Sequence, residues 1–318
     1  MTITRARWLP YALPLARPWR TATGVVDTRH GHLLRLETDA GLIGWGDAAP
    51  FPEIGISVAA ARAHARECAL LDLAAQVAAV PLARWLAPGR PPPPGIAVNA
   101  AIGPLDAQLP EAAAAALAAG YRVLKVKVGL ADPAGEGVLL GRLARDLPGG
   151  VSLRLDANGA WSAADAAAFL AACRDLPIDG VEDPLRHPTV AALARLQAAV
   201  PFALAVDDGA GLVDAAFLKR PPVRRLVLKP PRHGGLLATA VLARRAQEAG
   251  LEVVFTSSLD SVCGVLATAH LAAAIAPRSC HGLASGGWFA RDTGPGPHLA
   301  GGRLELPGGP GIGFRPWV

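Results

Sequence analysis

Lysine is scarce in this chain of 318 residues: of its 31 basic residues only Lys125, Lys127, Lys219 and Lys229 are Lys, and the rest are Arg. Where positive charge alone is needed, the sequence uses arginine, which cannot be deprotonated in a protein, whereas a desolvated lysine can lose its proton and act as a base. Cysteine is scarce too. Cys68, Cys173, Cys263 and Cys280 show no Cys-x-x-Cys spacing, and the eight histidines are equally dispersed, so a zinc site and a disulfide framework are both excluded in favour of reduced, mostly buried thiols. No run approaches the ~20 apolar residues of a membrane span. The start, Met-Thr-Ile-Thr-Arg-Ala-Arg, also lacks the apolar core of a signal peptide, which predicts a soluble cytoplasmic protein with no membrane partner. No Gly-x-Gly-x-x-Gly or Walker-type loop follows any candidate strand, which argues against nucleotide binding. The net charge of +5 and pI near 9.4 come without a basic stripe interleaved with aromatics; the arginines stand singly on solvated helical faces, as in residues 141–145. Nucleic acid is therefore not expected as a partner, while an anionic small substrate would gain from the positive field.

What is present is a large apolar fraction, 52% of residues, enough for one sizeable α/β domain and a smaller companion. Residues 32–38 read as a strand, followed by a turn at Asp39-Ala40-Gly41 and a second strand, a β-meander that leads into an Ala-rich helix from Val58 to about Val80. The stiff run Pro88-Gly-Arg-Pro-Pro-Pro-Pro-Gly95 marks a boundary. The expected organisation is a capping domain over residues 1–95, a barrel over 96–285, and a Gly/Pro-rich tail over 286–318 that packs back on the first domain.

After the linker, short apolar strands alternate with Ala/Leu-rich helices. The strands fall at 96–102, 123–129, 151–157, 180–184, 202–207, 225–230, 253–257 and 281–284. Eight strands with helical crossovers at so even a rhythm favour a parallel sheet closed into a barrel.

Three consecutive strands end in a carboxylate: Leu-Arg-Leu-Asp156-Ala-Asn158, Val-Glu182-Asp183-Pro and Val-Asp207-Asp208-Gly. The spacings of 26 and 25 residues each match one strand-helix unit, so all three acids reach the C-terminal rim, where barrel active sites sit. A single Asp after a strand is commonly a helix N-cap or a turn former. Three that converge call for a cation, and an all-oxygen set suits Mg²⁺ or Mn²⁺ in preference to zinc. Lysines flank them, Lys127 ending the second strand and Lys229 the sixth. Lys125 and Lys127, two apart, share the interior face, as do Arg154, Asp156 and Asn158. A metal between two lysines suits removal of a proton beside a carboxylate.

Lys-Val-Lys127, Asp156-Ala-Asn, Glu182-Asp-Pro, Val-Asp207-Asp and Leu-Lys229-Pro, in this order, resemble the signature of the muconate-lactonizing subgroup of the enolase superfamily. Gly44-Trp-Gly-Asp47-Ala-Ala-Pro50, Thr21-Ala-Thr-Gly24 and Pro310-Gly-Ile-Gly313 resemble its capping segments and return tail. The resemblance implies a modified TIM barrel, (β/α)7β, with an N-terminal α+β capping domain. It also implies Mg²⁺ on Asp156, Glu182 and Asp207, Lys127 and Lys229 as the acid/base pair, and Lys125 in support. Arg154 and Asp208 are expected behind the metal ligands. Asp208 and Asp47 stand where the family usually has Glu.

Thr-Ser-Ser-Leu-Asp-Ser (256–261) and Gly-Leu-Ala-Ser (282–285) are most similar to the o-succinylbenzoate synthases of the subgroup, and the Asp-x-Asp usual at the eighth strand of its dipeptide epimerases is missing. The implied reaction is metal-assisted syn dehydration of a cyclohexadiene carboxylate, a small-molecule substrate. Racemisation of N-succinylamino acids is the alternative, and a catalytically silent binding protein a third. Thr23, Asn158, Ser257 and Ser285 are the expected substrate contacts, with the loops at 21–26 and 51–56 folding over the mouth; ordinary domain packing is the competing account of those loops.

Overall fold

The computed structural model describes residues 1–21, 24–207 and 211–317. Three long strands open the chain, β1 (Ile3–Thr21), β2 (Gly24–Thr38) and β3 (Ile43–Ala48), paired antiparallel in that order. Helix α1 (Val58–Val77) starts at Ser57, whose side chain accepts from Ala60 N, the ordinary way of satisfying a first-turn amide. Ala61, Ala65, Ala69 and Leu73 recur every fourth residue and form one apolar face with Leu34, Leu36 and Ala48 of the sheet. The approach is close because β3 carries glycine where it faces the helix: a Cβ on Gly46 would collide with the Ala65 carbonyl, and one on Gly44 with that of Ala69. A short α2 (Leu82–Leu86) and the proline run follow.

The barrel then builds one strand and one helix at a time. β4 (Gly95–Val98) and β5 (Ala100–Pro104), separated by Asn99 alone, share the first stave's position and are followed by α3 (Leu109–Ala118). Next come β6 (Val123–Lys127), α4 (Pro133–Arg145), β7 (Ser152–Asp156), α5 (Ala163–Ala172), β8 (Ile178–Glu182) and α6 (Val190–Ala198). β9 (Ala203–Val206), α7 (Ala215–Lys219), β10 (Arg225–Leu228), α8 (Leu236–Glu248), β11 (Glu252–Phe255), α9 (Val262–Ile275) and β12 (Cys280–His281) complete it. β5 to β11 form one parallel sheet in chain order. It is closed by β12, which runs parallel to β4 and exchanges Gly282 N→Phe255 O (2.9 Å) and Ser257 N→Gly282 O (3.1 Å) with the end of β11. This is the expected (β/α)7β barrel under a separate antiparallel N-terminal sheet. Each of the eight expected strands is present, with the eighth reduced to two residues.

The tail touches several elements. Ala290 N donates to Pro14 O, Ile312 N to Asp72 Oδ1, and Phe314 packs edge-on against Trp45 with ring centroids 5.5 Å apart. Between these contacts, β13 (Leu299–Ala300) and β14 (Arg303–Glu305) form a hairpin that pairs antiparallel with β4, beneath the barrel.

Inside the barrel, side chains lie in layers. At the floor, Arg154 meets Asp179 at 2.8 Å, Asp179 meets Arg225 at 2.7 Å, and Arg225 meets Glu252 at 2.8 Å. The register of β7 against β8 slips between Leu153 and Arg154, and this irregularity turns Asp179 inward to face both arginines. Above the floor sits a small apolar layer of Ala205, Val227 and Val254. The third layer is the candidate site.

Candidate active site

In β6 the buried Leu124 and Val126 face the helices, and Lys125 and Lys127 the interior. Lys127 is the register partner of Asp156 on β7, and Asp156 of Glu182 on β8; Asp207 follows β9 at the same rim. Lys125 Nζ lies 2.9 Å from Asp156 Oδ2 and 2.5 Å from Glu182 Oε2. On the other side, Lys229, 8% exposed, pairs with Asp207 Oδ2. Among the described residues no hydrogen bond or ion pair holds the ammonium of Lys127, which leaves it the most available of the three.

The charges explain one another. Burial pulls the Lys125 ammonium down, but the carboxylates of Asp156 and Glu182 outweigh it and hold the group well above its ordinary value. For Asp156 burial works upward, and Lys125 reverses it and leaves the carboxyl low. Asp183 is the exception: burial first, then the negative charge of Asp207, push it up to about 7. Its backbone is left-handed, φ 42°, and its Oδ1 accepts Asp207 N at 3.1 Å, so it props the loop that carries Asp207.

Among the described residues no three acidic, His or Cys side chains form a ready cage for a metal ion; the lysine ammonium groups neutralise the carboxylates. The donor set still fits a hard cation. All of its atoms are oxygens, and Asp207 Oδ1 is buried without a hydrogen-bond partner.

The remaining sequence-derived positions scatter. Asn158 is exposed on a left-handed turn, φ 45°, with its N–H on Asp156 Oδ1 at 3.2 Å. Ser285 is 7% exposed with a buried, unpartnered hydroxyl at the eighth-strand end, and Ser257 Oγ accepts Asp260 N at 3.2 Å. Arg154 does not stand behind the rim carboxylates. Two residues lower on β7 it lies about 7 Å deeper, and it donates to Asp179, Asn99 Oδ1 and Cys280 O. Thr23 and Asp208 lie outside the described residues. Residues 51–56 do approach the mouth: Phe51 and Ile56 pair across the loop, and Gly55 faces Arg232, whose Nη1 donates to Asp207 O at 3.0 Å.

Sequence reasoning assigned no role to the side chains that join the two parts of the molecule. Asp47 of β3 accepts Tyr11 OH at 2.7 Å and Ser261 N at 2.8 Å, at the start of α9, where Asp292 accepts Val262 N at 3.0 Å. Arg29 stacks on Phe51, 4.1 Å from the ring centroid, and donates to Leu259 O across the junction at 3.3 Å. The only local signal was at Asp47, an acid inside the otherwise apolar run 42–51; Arg29 and Asp292 stand among polar neighbours that mark nothing.

A family profile described as enolase C-terminal domain-like matches residues 108–316. The chain belongs to the enolase superfamily. It is 32% identical to an o-succinylbenzoate synthase from Thermosynechococcus vestitus over 308 residues, covering 89% of this chain and 92% of that one. It is 30% identical to another from Pectobacterium atrosepticum over 293 residues, with 86% and 87% covered. Among solved structures, a dipeptide epimerase from Methylococcus capsulatus complexed with Mg and the dipeptide L-Arg-D-Lys superposes with a TM-score of 0.86 at 26% identity, covering 98% of this chain and 99% of that one. As an enolase-superfamily barrel, the chain carries its lysines and carboxylates on the face where such folds place their chemistry.

Proposed function

We propose that this protein is an o-succinylbenzoate synthase-like lyase, which dehydrates 2-succinyl-6-hydroxy-2,4-cyclohexadiene-1-carboxylate to o-succinylbenzoate in menaquinone biosynthesis. The observation that carries the reading is the pairing of lysines with rim carboxylates on opposite sides of one barrel mouth. Full-length similarity to proteins named o-succinylbenzoate synthase supports the choice of substrate.

Lys127 is the base. Among the described residues no carboxylate holds its Nζ, so the amine can take the proton beside the substrate carboxylate. The C–H electron pair moves into the ring, and the neighbouring C–O bond breaks on the same face. Lys127, now protonated, returns the proton to the departing hydroxide, so one water leaves and the ring becomes aromatic. Lys229 stays cationic beside Asp207 and offsets negative charge on the substrate without transferring a proton. Asp156, Glu182 and Asp207 would hold Mg²⁺, which when bound supplies positive charge against the substrate carboxylate. Mn²⁺ has the same ligand preference. Lys125 holds the Asp156 carboxyl low and orients both Asp156 and Glu182.

The test is turnover of the cyclohexadiene substrate with and without Mg²⁺, alongside N-succinylamino acids. Dehydration that requires Mg²⁺ and is lost in Lys127→Arg is expected; an unchanged rate in that variant rules out Lys127 as the base. Racemisation is the second reading, favoured by the likeness to an epimerase and by lysines on both sides of the mouth. It predicts α-proton exchange with solvent from both enantiomers of an N-succinylamino acid. No turnover of either substrate would leave only a binding role.

A further inference from the structure

The loop that carries Lys229 is held at its far end by a residue of the capping helix. Residues 229–235, Lys-Pro-Pro-Arg-His-Gly-Gly, turn back on themselves: Arg232 N donates to Lys229 O at 2.9 Å and Gly235 N to Pro230 O at 2.9 Å. Helix α8 then begins with glycine at its N-cap position, so the loop offers no side chain to the first-turn amides. Glu67 of α1 supplies one from 169 residues away. Its Oε2 accepts Leu236 N, and the carboxylate also takes a hydrogen bond from Leu237 N. An anion there is matched to the positive end of a 13-residue helix.

The glycines are shaped to this contact. Gly234 and Gly235 have φ of +83° and +110°, values that L side chains rarely adopt, and a Cβ on Gly235 would collide with the Glu67 carboxylate. α1 also packs directly on residues 230–232, where Pro230 and Pro231 are buried and stiffen the turn. From the helix cap back to Lys229 the loop is therefore short, tight and doubly anchored.

We propose that Glu67 is a positioning residue for Lys229: by gripping the first turn of α8 it fixes residues 229–236, and with them the direction in which the Lys229 ammonium faces Asp207 and a bound substrate. The consequence for turnover rests on the proposed role of Lys229 as the cation of the reaction; the consequence for its placement does not. The capping domain then does more than cover the mouth, because one of its side chains sets the geometry of a barrel residue.

With only four lysines in the chain, each can be followed separately by acetic anhydride labelling and peptide mass spectrometry. In Glu67→Ala, Lys229 should acetylate about fivefold faster as its loop opens locally, with Lys125 and Lys127 unchanged. kcat on the cyclohexadiene substrate should fall about tenfold or more at near-constant KM. Glu67→Gln keeps an acceptor oxygen and should fall between parent and Glu67→Ala; it serves alone if Glu67→Ala does not fold. Ser57→Ala, which removes the cap of the same helix α1, controls for lost stability and should lower Tm without changing Lys229 labelling or kcat. The proposal is overturned if Lys229 labelling is unchanged or if all three site lysines become reactive together; selective loosening of Lys229 with kcat held supports its placement by Glu67 and removes instead the role of Lys229 in turnover. A parent protein that turns over neither substrate would remove the functional reading, and the rate of Lys229 labelling would then decide by itself whether Glu67 holds the loop.

Discussion

At the scale of single residues, the site is a problem of balancing charge. Asp156 and Glu182 are drawn to one ammonium, and removing it leaves two carboxylates close together with little water. Lys125→Met should therefore destabilise the metal-free protein by about 3 kcal/mol, read from urea unfolding. Added Mg²⁺ should raise the unfolding midpoint of the variant more than that of the parent. Asp156, Glu182, Asp207, Lys127 and Lys229 each stand at or just past a strand end, so their spacing in the sequence was enough to expect them on one rim. The roles of Glu67, Asp47 and Arg29 were not legible there, because their partners lie up to 230 residues away and no local period marks such a pairing. Arg154 was assigned to the correct face but the wrong depth, because a face is a matter of parity along a strand, whereas depth depends on how far along it the residue sits. Lys219, exposed at the end of α7, has no role in this chemistry.

At the scale of elements, the junction of β3 with α1 is the most sensitive contact in the capping domain. Backbone meets backbone at Gly46 and Ala65, so a single methyl group has nowhere to go. Gly46→Ala should cost about 1–3 kcal/mol, seen as a lower Tm. The two-residue strand β12 was expected to be longer. Hydrogen bonds from residues just outside it, such as Gly282 N→Phe255 O at 2.9 Å, close the barrel where the strand itself is brief. Pattern reading finds an apolar run but not how much of it is paired.

At the scale of the whole molecule, buried titratable groups pull stability in opposite directions with pH. His64, His270 and His281 are each held down to about 4 by burial. His281 accepts Phe255 N at 3.1 Å on Nδ1, which leaves Nε2 to donate to Ala276 O at 3.0 Å, so the neutral ring is the one that fits. Between about 4 and 6.5 the unfolded chain binds protons that these rings refuse, so their contribution is complete above pH 6.5 and is lost as pH falls toward 4. Asp47 has the reverse sign. Burial, reinforced by Asp260, lifts it to about 7, so its contribution is complete below its ordinary value and is lost as pH rises through 7. Urea midpoints should accordingly peak in the weakly acidic range. Asp47→Asn, whose Oδ1 can accept Ser261 N while its Nδ2 donates to the Tyr11 hydroxyl oxygen, should raise the midpoint at pH 8 relative to that at pH 5. One consequence of the Arg154–Asp179–Arg225–Glu252 belt concerns traffic. Four side chains locked at 2.7–2.8 Å make the barrel a well with a closed bottom. Substrate and product must both pass the same mouth, so the departure of one turnover's product is a condition for the arrival of the next substrate.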